Sequence, residues 1–72
     1  MANQRYEAFL NVAETGSFKE AAQAMGYTQA GVSYLVNALE KELDCLLFVR
    51  DYGGVHLTAE GEQLLPWIQD VS

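Results

Sequence analysis

Three stripes of apolar residues at helical spacing punctuated by Gly16 and Gly26, a switch to a two-strand pattern around Gly53-Gly54, and a fourth apolar stripe predict a mainly α fold. Taken in that order they make a winged helix-turn-helix: three helices, a two-stranded wing and a fourth helix. The 72 residues suffice for one domain with a core only just large enough to stand alone, and with half of them hydrophobic and one proline the chain is expected to fold throughout.

Tyr6, Phe9, Leu10 and Ala13 recur at i, i+3, i+4 and i+7 and define the first helix, which Thr15-Gly16 stops. Ser17 opens a capping box with Glu20, hydroxyl and carboxylate each satisfying a backbone donor. Phe18, Ala21, Ala22 and Met25 then carry a short second helix to Gly26. Thr28 caps a third helix over 28–43, with Val32, Val36, Leu39 and Leu43 as its buried stripe. Two helices joined by a short turn containing glycine read as a helix-turn-helix. From Cys45 the period changes: Leu46 to Arg50 reads as a strand, Asp51 to Gly54 as a turn and Val55 to Leu57 as a second strand. Thr58 caps the fourth helix, Glu60 and Glu62 lie near its positive end, and Leu64, Leu65, Ile68 and Val71 give it an apolar face. Pro66 is expected to kink that helix or leave carbonyl groups unpaired. The chain stops inside this helix with no stop signal, as expected of a piece of a longer protein.

Four Lys and Arg against ten Asp and Glu give a net charge of −6, which on average repels nucleic acid and anionic membranes. The acid is unevenly placed, residues 15–34 being neutral and 53–72 carrying Glu60, Glu62 and Asp70. The longest apolar run, Cys45 to Val49, falls far short of the roughly 20 residues that span a bilayer, and the N-terminus lacks a signal peptide's pattern, so a cytoplasmic protein without a membrane partner is expected. A single cysteine, Cys45, reads as a small core hydrophobe, and a single histidine, His56, as an exposed strand residue with no partner for a metal or proton switch. No nucleophile, base and orienting group recur at useful spacing and no glycine-rich phosphate loop is present, so an enzyme is not expected.

Particular strings say more than the pattern. Ala13-Glu14-Thr15-Gly16-Ser17-Phe18-Lys19-Glu20-Ala21-Ala22, Thr28-Gln29-Ala30-Gly31-Val32-Ser33, Leu39-Glu40-Lys41-Glu42-Leu43, Leu47-Phe48-Val49-Arg50 and Leu57-Thr58-Ala59-Glu60-Gly61 follow one another at a fixed spacing. Together they closely resemble the N-terminal domain of LysR-type transcriptional regulators over nearly the whole chain. The resemblance implies a winged helix-turn-helix DNA-binding domain over residues 1–57 and the start of a linker, dimerisation helix over 58–72. It implies double-stranded DNA as partner, a homodimer, and a tetramer in the full-length protein. No cofactor is expected in this chain; a small-molecule effector would bind a larger C-terminal domain.

In such regulators the third helix enters the major groove of a palindromic operator, which makes Gln29, Ala30, Ser33 and Tyr34 the expected base contacts. Gln29 can pair bidentately with adenine, Ser33 can donate or accept, and Ala30 can touch a thymine methyl; the plain alternative is an ordinary solvated helix start. Ser17, Lys19, Thr28, Arg50, Gly53 and Gly54 are the expected DNA backbone contacts. Ser17 also serves as a cap and Lys19 as a solvated charge, while Arg50 can lie along the backbone or pair with Asp51. Leu64, Leu65, Trp67, Ile68 and Val71 are the expected dimerisation residues. This chain departs from the family pattern at Ala30 (usually proline), Tyr34 (often arginine or histidine), Asn37 (often arginine), Asp44 (usually glycine), the wing tip Gly53-Gly54 (commonly basic) and His56. Most of the replaced residues are cationic, so phosphate neutralisation is expected to be weak. Lys41 is expected to face Glu40 and Glu42. The alternative function is a winged helix turned to protein contact, with Tyr34, Tyr52 and Trp67 on a partner.

Overall fold

The computed structural model describes residues 3–71, with element order α1 (Gln4–Thr15), α2 (Phe18–Met25), α3 (Gln29–Leu43), β1 (Phe48–Asp51), β2 (Gly54–Leu57) and α4 (Ala59–Val71). Each of the first three helices begins on a side-chain cap. Asn3 accepts from the Arg5 N–H, Ser17 from the Glu20 N–H at 3.1 Å and Thr28 from the Gly31 N–H at 2.9 Å. Only this half of the expected capping box forms at Ser17, because the Ser17 N–H is turned to the Thr15 hydroxyl at 3.3 Å rather than to Glu20. At the other ends, Gly16, Gly26 and Asp44 occupy the left-handed region, with φ of 69°, 71° and 55°. Gly26 does so without strain and reverses the chain between α2 and α3, the Tyr27 N–H returning to the Ala22 carbonyl at 2.9 Å. Asp44 carries out the same reversal with a side chain.

The three helices pack around Phe9, Val12, Phe18, Ala21, Val32, Val36 and Leu39, and the wing closes one end of that core with Leu47 and Phe48. Phe48 touches Phe9 at 5.4 Å between ring centroids and meets Phe18 edge-on at 6.1 Å, so the three aromatic rings join α1, α2 and β1. Leu43 is exposed, a correction to the four-residue stripe: it is the last residue of α3 and stands in an open groove with Tyr6 and Trp67. The wing is an antiparallel hairpin in the register Phe48↔Leu57, Val49↔His56, Arg50↔Val55 and Asp51↔Gly54, so its first strand begins two residues later than expected and its turn is the pair Tyr52-Gly53.

Two polar clamps tie the wing to the helices. The Glu40 carboxylate on α3 accepts from the Leu47 N–H at 2.7 Å and from the Phe48 N–H at 3.4 Å. Thr58 donates its hydroxyl to the Leu46 carbonyl at 2.6 Å and its N–H to the Leu47 carbonyl at 3.0 Å, while its oxygen accepts from the Gly61 N–H. The N-terminus of α4 is thereby docked on the entry to β1. Gly61 is buried at this crossing, where a β-carbon would lie 2.5 Å from the Leu47 carbonyl oxygen. α4 continues through Pro66 to Val71 without interruption; the proline lacks an N–H, so the i−4 carbonyl of Glu62 loses its helical partner on an exposed side of the helix. Ile68 is fully buried against the domain's own core. It is thereby removed from the expected dimerisation face, because the stripe that reads as apolar includes the side of α4 facing α1. Among the described residues no helix is long and apolar enough to cross a membrane.

Candidate nucleic-acid interface

At 100° per residue, Val32, Val36 and Leu39 set the inward side of α3, and Ala30, Ser33, Tyr34, Asn37 and Lys41 fall within about 100° of arc on the opposite side. The structure brings these outward residues, together with Ala38, around one shallow groove along the helix. Gln29, Ala30 and Tyr34 are exposed, Tyr34 at 65%, and Ser33 is half-buried. Gln29 and Ala30 occupy the first turn, beyond the Thr28 cap, where helix N–H groups point outward and the helix dipole favours an anion. No Asp or Glu lies between Thr28 and Leu39, so this stretch of α3 is free of anionic side chains.

Arg50 and the start of α2 form a second feature. The Arg50 guanidinium lies 4.2 Å from the centroid of the Phe18 ring. Phe18 is the first residue of α2, between Ser17 and Lys19, so the wing's cation is held at the N-terminus of that helix. Arg50 makes no ion pair with Asp51, which closes that alternative. Asp51 instead accepts from the Gly53 N–H at 2.8 Å and lies 3.1 Å from His56 Nε2. His56 therefore does have a partner, contrary to expectation. The Gly53 amide is also already committed, so a phosphate contact through it requires the Asp51 carboxylate to move away. Gly54 is half-buried with φ 111° and lies toward the Gly16 carbonyl, the closest non-adjacent atom a β-carbon there would meet.

The expectation for Lys41 is also revised. Glu40 turns to the wing amides and Glu42 pairs with Arg5 at 2.5 Å, so among the described residues no carboxylate lies within ion-pair distance of Lys41. Of the remaining expected dimerisation residues, Trp67 and Val71 are half exposed, and Leu64 and Leu65 are half-buried against the core. Trp67 meets Tyr6 edge-on at 6.2 Å, and Tyr6, Leu43, Leu64 and Trp67 line an apolar groove between α1 and α4. Among the described residues no cluster of three metal-ligating side chains forms.

Residues 4–62 match the family described as bacterial regulatory helix-turn-helix protein, lysR family. The chain belongs to the LysR family. It is 48% identical over 71 residues to the probable nitrogen assimilation transcriptional activator of Synechococcus elongatus, covering 99% of this chain and 23% of that protein. It is 43% identical over 72 residues to YvbU, an HTH-type transcriptional regulator of Bacillus subtilis, covering 99% of this chain and 25% of that protein. Among solved structures, that of the CbnR DNA-binding domain in complex with DNA superposes with a TM-score of 0.89 at 29% identity, over 94% of this chain and 78% of that one. This LysR-family chain thus spans about a quarter of the length of the curated relatives it matches, while it corresponds to most of an isolated DNA-binding domain. Its four helices and hairpin are those of the family's winged helix-turn-helix.

Proposed function

We propose that this chain is the sequence-specific DNA-binding domain of a cytoplasmic transcriptional regulator, without catalytic activity of its own. It acts as a homodimer whose two α3 helices enter successive major grooves of a palindromic operator. The observation that carries this reading is the outward face of α3: it lies opposite the buried stripe, carries no carboxylate from Thr28 to Leu39, and adjoins the exposed Gln29 at the helix N-terminus. The likeness to a structure that contains DNA supports it. Gln29 and Ser33 discriminate bases, with Ala30 and Tyr34 completing the contact. Lys19, Arg50 and the backbone N–H groups beside Thr28 hold phosphates. Trp67 and Val71, flanked by Leu64 and Leu65, are the exposed apolar edge through which the α4 helices pair. A small-molecule effector would act through a part of the protein outside this chain.

The test is selection of duplexes from a random library at low salt, followed by fluorescence anisotropy on an enriched duplex and on a random one. Gln29→Ala should lose about 1–3 kcal/mol on the enriched duplex and leave the random one nearly unchanged. Equal losses on both would overturn the assignment of base reading to Gln29. Absence of binding at low salt would favour protein contact as the function.

A further inference from the structure

Given the reading of α3 as the groove-entering helix, we propose that Lys41 is a phosphate contact and that the DNA-binding face runs along α3 through Asn37 to its last turn. Ala30, Asn37 and Lys41 stand within about 40° of one another around the helix axis, and with Ser33 and Tyr34 they line one continuous groove. Lys41 is about 16 Å along the axis from Ala30, and its side chain extends that reach. That span is larger than the major groove's width of about 12 Å, so a helix reading bases with its first turn brings its last turn to the phosphates at the groove's edge.

The charge environment supports the same assignment. Glu40 and Glu42 are helix neighbours that do not face Lys41, and both are engaged elsewhere: Glu40 caps the amides of Leu47 and Phe48, and Glu42 holds Arg5. Arg5 is engaged in that exposed ion pair, while Lys19, Lys41 and Arg50, the other three of the chain's four Lys and Arg, form none among the described residues. Asn37, one turn before Lys41, is exposed and presents an uncharged amide to the same groove. Asp44, at i+3 from Lys41, lines a hollow with Asn37, Glu40 and Lys41, but among the described residues it forms no ion pair with Lys41.

The experiment is a salt titration of binding to a fluorescein-labelled random-sequence duplex, where only phosphate contacts register. Lys41→Gln should reduce the magnitude of the slope of log K against log salt by about 0.9 per protomer, and Lys41→Arg should restore it. Gln69→Glu makes the same change in net charge on α4 and should leave the slope unchanged at and above physiological ionic strength, where screening acts over about 8 Å. A wild-type slope in Lys41→Gln, with a reduced one in Lys19→Gln, would overturn the role of Lys41 while leaving DNA binding intact. Equal reductions in Lys41→Gln and Gln69→Glu would also overturn it, because the effect would then follow total charge. No binding by the wild-type chain would overturn both this contact and the function it rests on.

Discussion

Replacing Gly61 by alanine sets two effects of known sign against each other. Within a helix the change favours folding by about 1 kcal/mol through backbone entropy. Against this, the new β-carbon would stand 2.5 Å from the Leu47 carbonyl oxygen and 2.9 Å from Leu57 Cδ2. The leucine methyl can rotate away, but the carbonyl cannot move freely, since it accepts the Thr58 N–H at 3.0 Å and belongs to the fully buried Leu47. Relief requires α4 to lift off the entry to the wing. Overpacking of this kind costs about 1–3 kcal/mol, and a weakened hydrogen bond about 1 kcal/mol more. The clash therefore outweighs the propensity gain and leaves a net destabilisation of about 1–3 kcal/mol. For a domain of this size that lowers Tm by about 5–20 °C. Thermal unfolding followed by circular dichroism measures it, with Gln63→Ala on the exposed side of the same helix as the control that should stay near wild type. An unchanged or raised Tm in Gly61→Ala would mean that the docking of α4 is loose and that the crossing does not set its position.

Other outcomes follow from single contacts. Arg50→Ala should weaken binding to every duplex by about tenfold. Phe18→Leu should weaken it less, and in the Arg50→Ala background Phe18→Leu should add nothing; additive losses in that double-mutant cycle would show that the ring does not act through the guanidinium. Glu40→Ala should destabilise by about 1–3 kcal/mol in urea unfolding, since it leaves the Leu47 and Phe48 N–H groups without their carboxylate, and Glu40→Gln should recover part of the loss. Equal stability of all three would remove Glu40 from the account of how the wing is held.

The periodic features of the fold were legible because they depend on neighbours three or four residues away. The apolar spacing and the caps at Ser17 and Thr28 locate α2 and α3, and with them the outward face of α3. Features set by what lies across the fold were not. Ile68 reads as apolar in the same way whether it meets its own core or a partner, and only the packing of α4 on α1 decides. The Glu40 carboxylate bonds amides seven and eight residues ahead, past a left-handed turn at Asp44 that no helical period anticipates. The pairing of Asp51 with His56 was hidden by assigning Asp51 to the turn. Once the turn is reduced to Tyr52-Gly53, Val49 faces His56, and Asp51 becomes the diagonal neighbour of His56 on one face of the hairpin.

These pairings also bear on how a chain of net charge −6 can approach a polyanion. Three of the four acids on α3, its C-cap and the wing are committed within the domain, Glu40 to amides, Glu42 to Arg5, and Asp51 to the Gly53 amide and His56, which leaves Asp44. Glu60, Glu62 and Asp70 lie on α4, which packs on α1 and β2. The domain extends 31 × 24 × 19 Å, so charges on opposite faces are separated by more than the screening length of about 8 Å at physiological ionic strength. At that distance the sign of the total matters less than the sign of the local surface, where the stretch of α3 from Thr28 to Leu39 carries no acid and Lys41 lines the same groove as Ala30, Ser33, Tyr34 and Asn37. The total reasserts itself at low salt, where the screening length grows to about 30 Å at 0.01 M and the acids of α4 come into range of the phosphates. Log K against log salt for this domain should therefore flatten at the low-salt end, where a strongly basic DNA-binding domain would continue to gain affinity.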